Sequence, residues 1–408
     1  MRPRERPPRR LGVYSDGPSR VIQTREGTRL EPVPSDIPFL TFVCAVGQGF
    51  DSLTLFARAR RADGEVHGHL LPASVDVVQL PFYESMIDWR GVLRATPGSV
   101  RAFWRGLERV DAVWLLGPHP YILLFVPLAL ARRKTVVLGA RQDTMEYYRA
   151  RLRGGLGRPA LLVARTWDLG FRALARVLKV TVVGDHLVRQ YGGERPKLLP
   201  MTVSQLPEAE LVHIPAPHDW TGEITLLTVG RIDAEKNPLL LVEAVARLEA
   251  EHPGRFRLVW AGTGPLEEAV ARRAEELGVR GRIELLGHVL FGPELLERYR
   301  RAHVFVHVSL TEGLPATIVE ALGSATPVVA TAVGGVPSAL ESGEAGLLVP
   351  PADLDSLVAA IVQFTDDAEL RERVVRRGLE LAGRHTLEAT SSRVARFIRG
   401  EGPSETDG

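Results

Sequence analysis

From Glu223 onward the chain alternates short apolar, β-branched runs with stretches whose apolar positions recur every three to four residues. Runs at 224–229, 257–261, 282–286, 304–308, 327–330 and 347–349, each bounded by glycine or polar residues, predict strands. Between the first two, Leu241, Val242, Val245 and Leu248 fall on one helical face, with Asn237 predicted as N-cap and Pro238 in the first turn. Another helix is predicted from Pro265, after Gly264. Strand and helix in regular alternation build a parallel sheet from βα units. The first half carries the same alternation less regularly, with strands predicted at 11–14, 39–45, 76–80, 112–116, 134–138 and 180–183. The apolar run 121–131 predicts a buried helix, because a membrane span takes about 20 such residues.

A chain of 408 residues accommodates two domains, each with its own core. Prolines without clean periodicity at 200–220 mark the join. The predicted organisation is a disordered leader 1–10, a first domain 11–205, a linker 206–222, a second domain 223–385, a helix 386–400 reaching back to the first domain, and a disordered tail 401–408. Hydrophobic residues at 45% and charged residues at 25% describe a soluble globular balance. The single cysteine, Cys44, excludes an internal disulfide and fits a reducing, cytoplasmic setting. A net charge of +2 gives nucleic acid no general attraction, and no basic face interleaved with aromatics indicates such a partner. Basic residues do gather at 147–179, where Arg149, Arg151, Arg153, Arg158, Arg165, Arg172, Arg176 and Lys179 are interleaved with leucines and aromatics. Two readings stay open for that stretch: a helix lying on anionic lipid at the inner face of the membrane, or a solvated face backed by core.

The stretch from Ser309 to Leu322 follows a predicted strand and opens a helix at Pro315. Unpaired amides at a helix start suit an anion, so the turn Gly313–Thr317, with Leu314 and Ala316 in it, is a candidate phosphate and sugar cradle. Glu312 sits before the helix and Glu320 more than a turn inside it, so the two address different parts of one ligand. In isolation the pair reads as a cap and a surface residue. Upstream, Gly230-Arg231 and Lys236-Asn237 place two cations in the loop after the domain's first strand, the groups a diphosphate needs. Alone, that loop reads equally as a solvated basic turn.

Gly230-Arg231, Lys236-Asn237, Ala261-Gly262-Thr263-Gly264-Pro265, Gly287, Ser309, Glu312 to Glu320 and Val333-Gly334-Gly335-Val336-Pro337 occur in one order over residues 226–350. Together they resemble the donor domain of the retaining GT-B glycosyltransferases of glycosyltransferase family 4. The resemblance implies two Rossmann-like α/β domains with parallel sheets facing across a cleft. It implies Arg231 and Lys236 on the donor diphosphate, Glu320 on the ribose, and Glu312 on a hydroxyl of the transferred sugar, where it supports the charged transition state. Gly262 and Gly264 would let the chain pass close to the nucleotide. Partners would be a nucleotide-diphosphate sugar and a glycan or lipid-linked acceptor.

No cofactor and no metal are expected: Asp353-Leu354-Asp355 reads as a helix cap, and the histidines show no shared ligand spacing. In the first domain the family's early Gly-Gly loop is replaced by Gly17-Pro18 or Gly47-Gln48-Gly49. His119 stands near the place of a family histidine beside the sugar, with a turn-closing structural role as its alternative. Arg141 and Asp143 resemble an Arg-x-Asp stretch on the cleft, with an ordinary ion pair as theirs. A phosphorylase, an epimerase or hydrolase of nucleotide sugars, and a non-catalytic binder of them remain competing functions.

Overall fold

Where the pattern predicts a short strand at 11–14, the chain forms one long strand, β1 (Arg10–Thr24), which folds back antiparallel as β2 (Gly27–Pro32). The computed structural model describes residues 7–24, 27–33, 36–62, 70–86, 88–141, 157–193, 195–215, 217–313 and 315–402. Leu314, Asp143 and residues 147–156 of the basic stretch lie outside the described residues, as do 1–6 of the predicted leader and 403–408 of the predicted tail. The described residues fall into two compact units, Met1–Val203 with Thr390–Gly408, and Ser204–Ala389.

After β2, the first unit continues through α1 (Ile37–Gly47), β3 (Ser52–Ala62), β4 (Val75–Leu80), α2 (Trp89–Gly106), β5 (Ala112–Gly117) and α3 (Pro120–Ala131). It is completed by β6 (Thr135–Ala140), α4 (Gly157–Val177), β7 (Lys179–Val183), α5 (Asp185–Gln190) and β8 (Leu198–Met201). Among the described residues its sheet has eight strands, ordered β4-β3-β1-β5-β6-β7-β8 with β2 beside β1. The strand predicted at 39–45 is instead part of α1, which buries Phe39, Leu40, Phe42, Val43 and Val46. A run apolar on every side has no period to separate helix from strand. Topology decides the case, because β1 and β3 are parallel neighbours and parallel neighbours need a crossover between them. β3 has no counterpart in the predicted strands, for its second half, Arg58 to Ala62, carries three arginines.

Along β1 the register with β3 slips: Ser15 pairs with Ala57 but Ser19 with Ala59. Residues 16–18 are thereby pushed out of the ladder as a bulge, a device that re-aims side chains. Behind the sheet, Tyr14, Phe56, Phe103 and Phe125 are fully buried, with the Phe103 and Phe125 rings stacked at 4.0 Å.

The second unit runs β9 (Ile224–Val229), α6 (Pro238–Glu251), β10 (Phe256–Ala261), α7 (Glu267–Glu276), β11 (Ile283–Gly287), α8 (Pro293–Arg301) and β12 (Val304–His307). It continues with α9 (Ala316–Gly323), β13 (Val328–Thr331), α10 (Val336–Ala339), β14 (Leu347–Val349), α11 (Leu354–Asp366) and α12 (Ala368–Arg384). Its strands are all parallel, in the order β11-β10-β9-β12-β13-β14, close to the predicted runs. Both units are therefore Rossmann-like α/β layers. The order reverses between β9 and β12, and such a switch point, at the carboxyl ends of the strands, is where open parallel sheets take their ligands.

Two further details differ from the pattern. Asn237 precedes α6 in the left-handed conformation (φ 49°) without a side-chain cap bond, and α7 starts at Glu267 rather than Pro265. The described residues of the predicted linker, 206–222, pack with the second unit: Leu206 is fully buried, and the Val212 amide donates to Gly323 O at 2.9 Å. The last helix, α13 (Leu387–Arg399), starts beside Leu206 and from Thr390 belongs to the first unit, where Arg399 donates to Gly49 O.

Candidate functional site

Because β9 and β12 are hydrogen-bonded neighbours, the loops leaving their carboxyl ends meet. The β9 loop is fixed first by its own sequence. Asp233 accepts from the Lys236 amide and shapes a single 3-10 turn, Ala234–Lys236, which ends at left-handed Asn237. The Leu310 amide, after β12, then donates to Glu235 O at 2.8 Å and ties the two loops together. On the other side, Gly262 donates to Gly287 O at 2.7 Å and Gly230 to Ala261 O at 3.0 Å. A Cβ on Gly262 would lie 1.9 Å from Gly230 O, and one on Gly264 would lie 2.3 Å from Ile232 O. What these glycines make room for is the adjacent loop's backbone.

This lacing brings Lys236 to Glu312. Lys236 Nζ forms an ion pair with Glu312 Oε1. The same oxygen accepts from Ser309 Oγ at 2.7 Å and faces His307 Nε2 at 3.0 Å. Among the described residues, Oε2 has no such partner. Burial pushes the Glu312 carboxyl up, but the His307 hydrogen bond and the Lys236 charge outweigh it and bring it down to about 2. An ionised carboxylate only accepts, so His307 carries its proton on Nε2. Gly334, at φ 54°, passes so close beneath that a Cβ there would lie 1.8 Å from Glu312 O, and Gly335 donates to Gly313 O at 2.8 Å.

Arg231 borders one small hollow with Gly230, Lys236, His307 and Ser309. Its guanidinium is 70% exposed and turned onto Asp233 at 3.0 Å and Glu235 at 3.2 Å. It is placed beside the Lys236 loop but already holds two carboxylates. Past the turn, Ala316 and Thr317 form the first turn of α9, with Pro315 ahead of it. Glu320 is buried, which removes the surface-residue reading, and its Oε2 accepts from Tyr299 Oη at 2.9 Å. Burial pushes its carboxyl up to about 7, against the Tyr299 hydrogen bond. Two carboxylates eight positions apart are thus shifted in opposite directions, Glu312 down and Glu320 up.

His307 and Tyr299 do not appear among the sequence candidates. His307 has a readable signal after the fact, since residues 307 and 309 share one face of an extended chain. Asp353 caps α11 by accepting from the Ser356 amide at 3.0 Å, as its position predicts. Among the described residues no group of three or more His, Cys, Asp and Glu side chains is placed to hold a metal. None of the described helices is long and apolar enough to cross a membrane.

The first unit holds a second polar cluster, organised by the β1 bulge. His119 caps α3, its Nδ1 accepting from the Tyr121 amide at 3.2 Å. An amide can only donate, so the ring proton sits on Nε2, which faces Asp16 Oδ2 at 3.2 Å and Tyr83 Oη at 3.1 Å. Buried Arg58 lies 3.6 Å from Asp16 Oδ2 and donates to Asp16 O at 2.7 Å. Burial pushes the Asp16 carboxyl up, but His119, Arg58 and Tyr83 together hold it below its ordinary value. Gly17 takes the next position, where a Cβ would meet Asp36 Oδ2 at 1.9 Å. Arg141 lies 3.9 Å from Asp36 Oδ1 and 3.8 Å above the Phe39 ring. Gly17, His119 and Arg141 are therefore joined through Asp16 and Asp36, two carboxylates that sequence reasoning passed over. His119 has both ring nitrogens engaged inside this unit.

Residues 214–380 match the family described as Glycosyl transferases group 1. A D-inositol 3-phosphate glycosyltransferase of Corynebacterium glutamicum (strain R) is 35% identical over 172 residues, 41% of each chain. The chain thus spans under half the length of that curated relative. Sucrose-phosphate synthase from Thermosynechococcus elongatus superposes with a TM-score of 0.66 over 96% of this chain and 98% of that one, at 19% identity. Anabaena HepE, solved in complex with UDP, gives 0.65 over 96% and 100%, at 16% identity. The fold is that of the GT-B structures.

Proposed function

We propose that the chain is a glycosyltransferase that moves a hexosyl group from a nucleotide-diphosphate sugar to a hydroxyl of a glycan or lipid-linked acceptor, with retention and without a metal. The observation that carries this reading is the loading of Glu312 Oε1 by Lys236, Ser309 and His307, which leaves Oε2 to meet a sugar hydroxyl. Sugar transfer builds positive charge on the anomeric carbon and negative charge on the departing diphosphate. A fixed carboxylate answers the first charge. Lys236, Arg231 and the amides opening α9 answer the second. Glu320, buried and inclined to hold a proton, would accept from the ribose hydroxyls. The family matched by residues 214–380 supports the glycosyltransferase part of this reading, and the UDP complex of a structural neighbour puts UDP-sugars first among donors to try.

A melting-temperature screen against UDP-, GDP- and ADP-sugars in EDTA tests the proposal directly. One donor is expected to stabilise the fold by about 3 kcal/mol at a hundred times its Kd. Nucleoside diphosphate is expected to appear only when an acceptor is added. Release without acceptor would indicate hydrolysis, and binding with no turnover would indicate a sensor. A donor that shifts the melt only with a divalent cation would end the metal-free part of the reading.

The membrane partner belongs to the same proposal. Helix α4 exposes Leu162, Leu169 and Val177 within one face, beside exposed Arg165 and Arg176. An apolar stripe flanked by arginines suits an anionic bilayer. Co-sedimentation with phosphatidylglycerol vesicles is expected, little with phosphatidylcholine, and Leu169→Glu is expected to reduce it severalfold. Equal sedimentation with both lipids would refute the contact.

A further inference from the structure

We infer that a hollow at the amino-terminal edge of the second unit's sheet is a second small-molecule site, taking an anion with an apolar or aromatic body. The hollow encloses about 730 Å³, the size of sites that hold small ligands. One wall comes from residues 212–215 with Pro217, His218 and Trp220, ahead of β9, and the other is a single face of α12. Its floor comes from Arg300, Ser324 and Pro327, which lie just ahead of β12 and β13. Gly230 and Glu312 follow the opposite ends of β9 and β12, a strand length of about 20 Å away for a six-residue strand. The two sites therefore share a sheet but not an edge.

Its chemistry has an apolar and a charged part. Trp220, Val375 and Leu379 supply the apolar lining, and Arg371 stacks on the Trp220 ring at 4.1 Å. Two observations point to a ligand. Ser324, only 3% exposed, lines the hollow, and its buried hydroxyl has no hydrogen-bond partner among the described residues. A buried hydroxyl left unpaired is unfavourable, and a polar atom of a ligand would relieve it. The second is an imbalance of charge. Arg300 is neutralised by Glu210 and Glu380 by Arg377, whereas Arg376 has no ion-pair partner among the described residues. Arg371 has Asp367 and Asp366 acting on it from beside the hollow, so the charge left over lies at Arg376, with Glu372 as the remaining acidic residue of the lining. Ser324 ends α9, and a helix carboxyl end repels anions, so the negative group belongs at Arg376 and the apolar body over Trp220 and Leu379.

The probe is 8-anilinonaphthalene-1-sulfonate, an aromatic body with one negative charge, titrated by fluorescence into the full chain. Saturable binding is expected, weakened about tenfold by Arg376→Glu and severalfold by Ser324→Ala. The neutral N-phenyl-1-naphthylamine is expected to be indifferent to Arg376→Glu. UDP should displace neither probe. Melting temperatures of both variants establish that they fold, since Arg376 is exposed and Ser324→Ala removes only an unpaired hydroxyl. Absence of saturable binding, unchanged affinity in Arg376→Glu, or displacement by UDP would each overturn the site. The readout needs no turnover, so it stands or falls apart from the proposed transferase activity.

Discussion

Glu312→Gln is expected to lower turnover with the donor found by screening by a hundredfold or more, about the loss seen when one preorganised transition-state group is removed. The amide would keep the shape of the side chain but not its charge. Its carbonyl oxygen could still accept from Ser309 and His307, while Lys236 would lose its counter-ion. The same variant has an acid signature. The wild-type carboxyl is brought down to about 2, below its unfolded value, so its stabilising contribution is complete above pH 4.5 and disappears as the pH falls toward 2. That contribution is about 3 kcal/mol. Urea unfolding at pH 3 and pH 6 should show a smaller difference for Glu312→Gln than for the wild type. A variant with full turnover and an unchanged acid slope would remove Glu312 from the mechanism.

Glu320→Gln is expected to act in the opposite sense on stability while abolishing donor affinity. The buried carboxyl is pushed up to about 7 in the folded chain, above its unfolded value. The folded state then binds a proton that the unfolded state has released, so wild-type stability falls as the pH rises from 4.5 to 7 and is level beyond. At pH 8 the neutral amide avoids a buried charge worth about 3 kcal/mol, and at pH 4.5 the two proteins converge. Tyr299 can still donate to the amide oxygen. Urea unfolding at pH 5 and pH 8, alongside nucleotide-sugar titration, reads both effects. If the variant kept the wild-type slope, Glu320 would not be the group that titrates.

Much of the second unit was legible in the chain because its strands are short apolar runs bounded by glycine or polar residues. The candidate-site residues were legible because Gly230, Lys236, Glu312 and Glu320 lie in two local segments whose spacing is fixed by one turn and one helix. The first unit was less so, for reasons that are physical. The run 39–45 is apolar on all sides and has no period to betray a helix, and the arginines of β3 mask a strand. Arg58 among them is buried, donating to Asp16 O and Tyr83 O. The Asp16, Arg58, Tyr83 and His119 cluster joins positions from β1, β3, the loop after β4 and the start of α3. Such a cluster exists only once the sheet order is known. The orientation of Arg231 was equally closed, since nothing in its spacing says that Asp233 and Glu235 hold it.

In the proposed transfer, the ion pair between Lys236 and Glu312 makes donor entry an exchange rather than an addition. Under the proposed roles, the cation for the diphosphate and the carboxylate for the sugar neutralise each other, so this pair carries less positive field than Lys236 alone would give. A nucleoside diphosphate without its sugar would draw Lys236 away and leave the Glu312 charge answered only by Ser309 and His307. The intact donor brings a hydroxyl to take up the slack. Spent nucleotide should accordingly be held less firmly than the molecule it came from, which helps the pocket clear after each transfer.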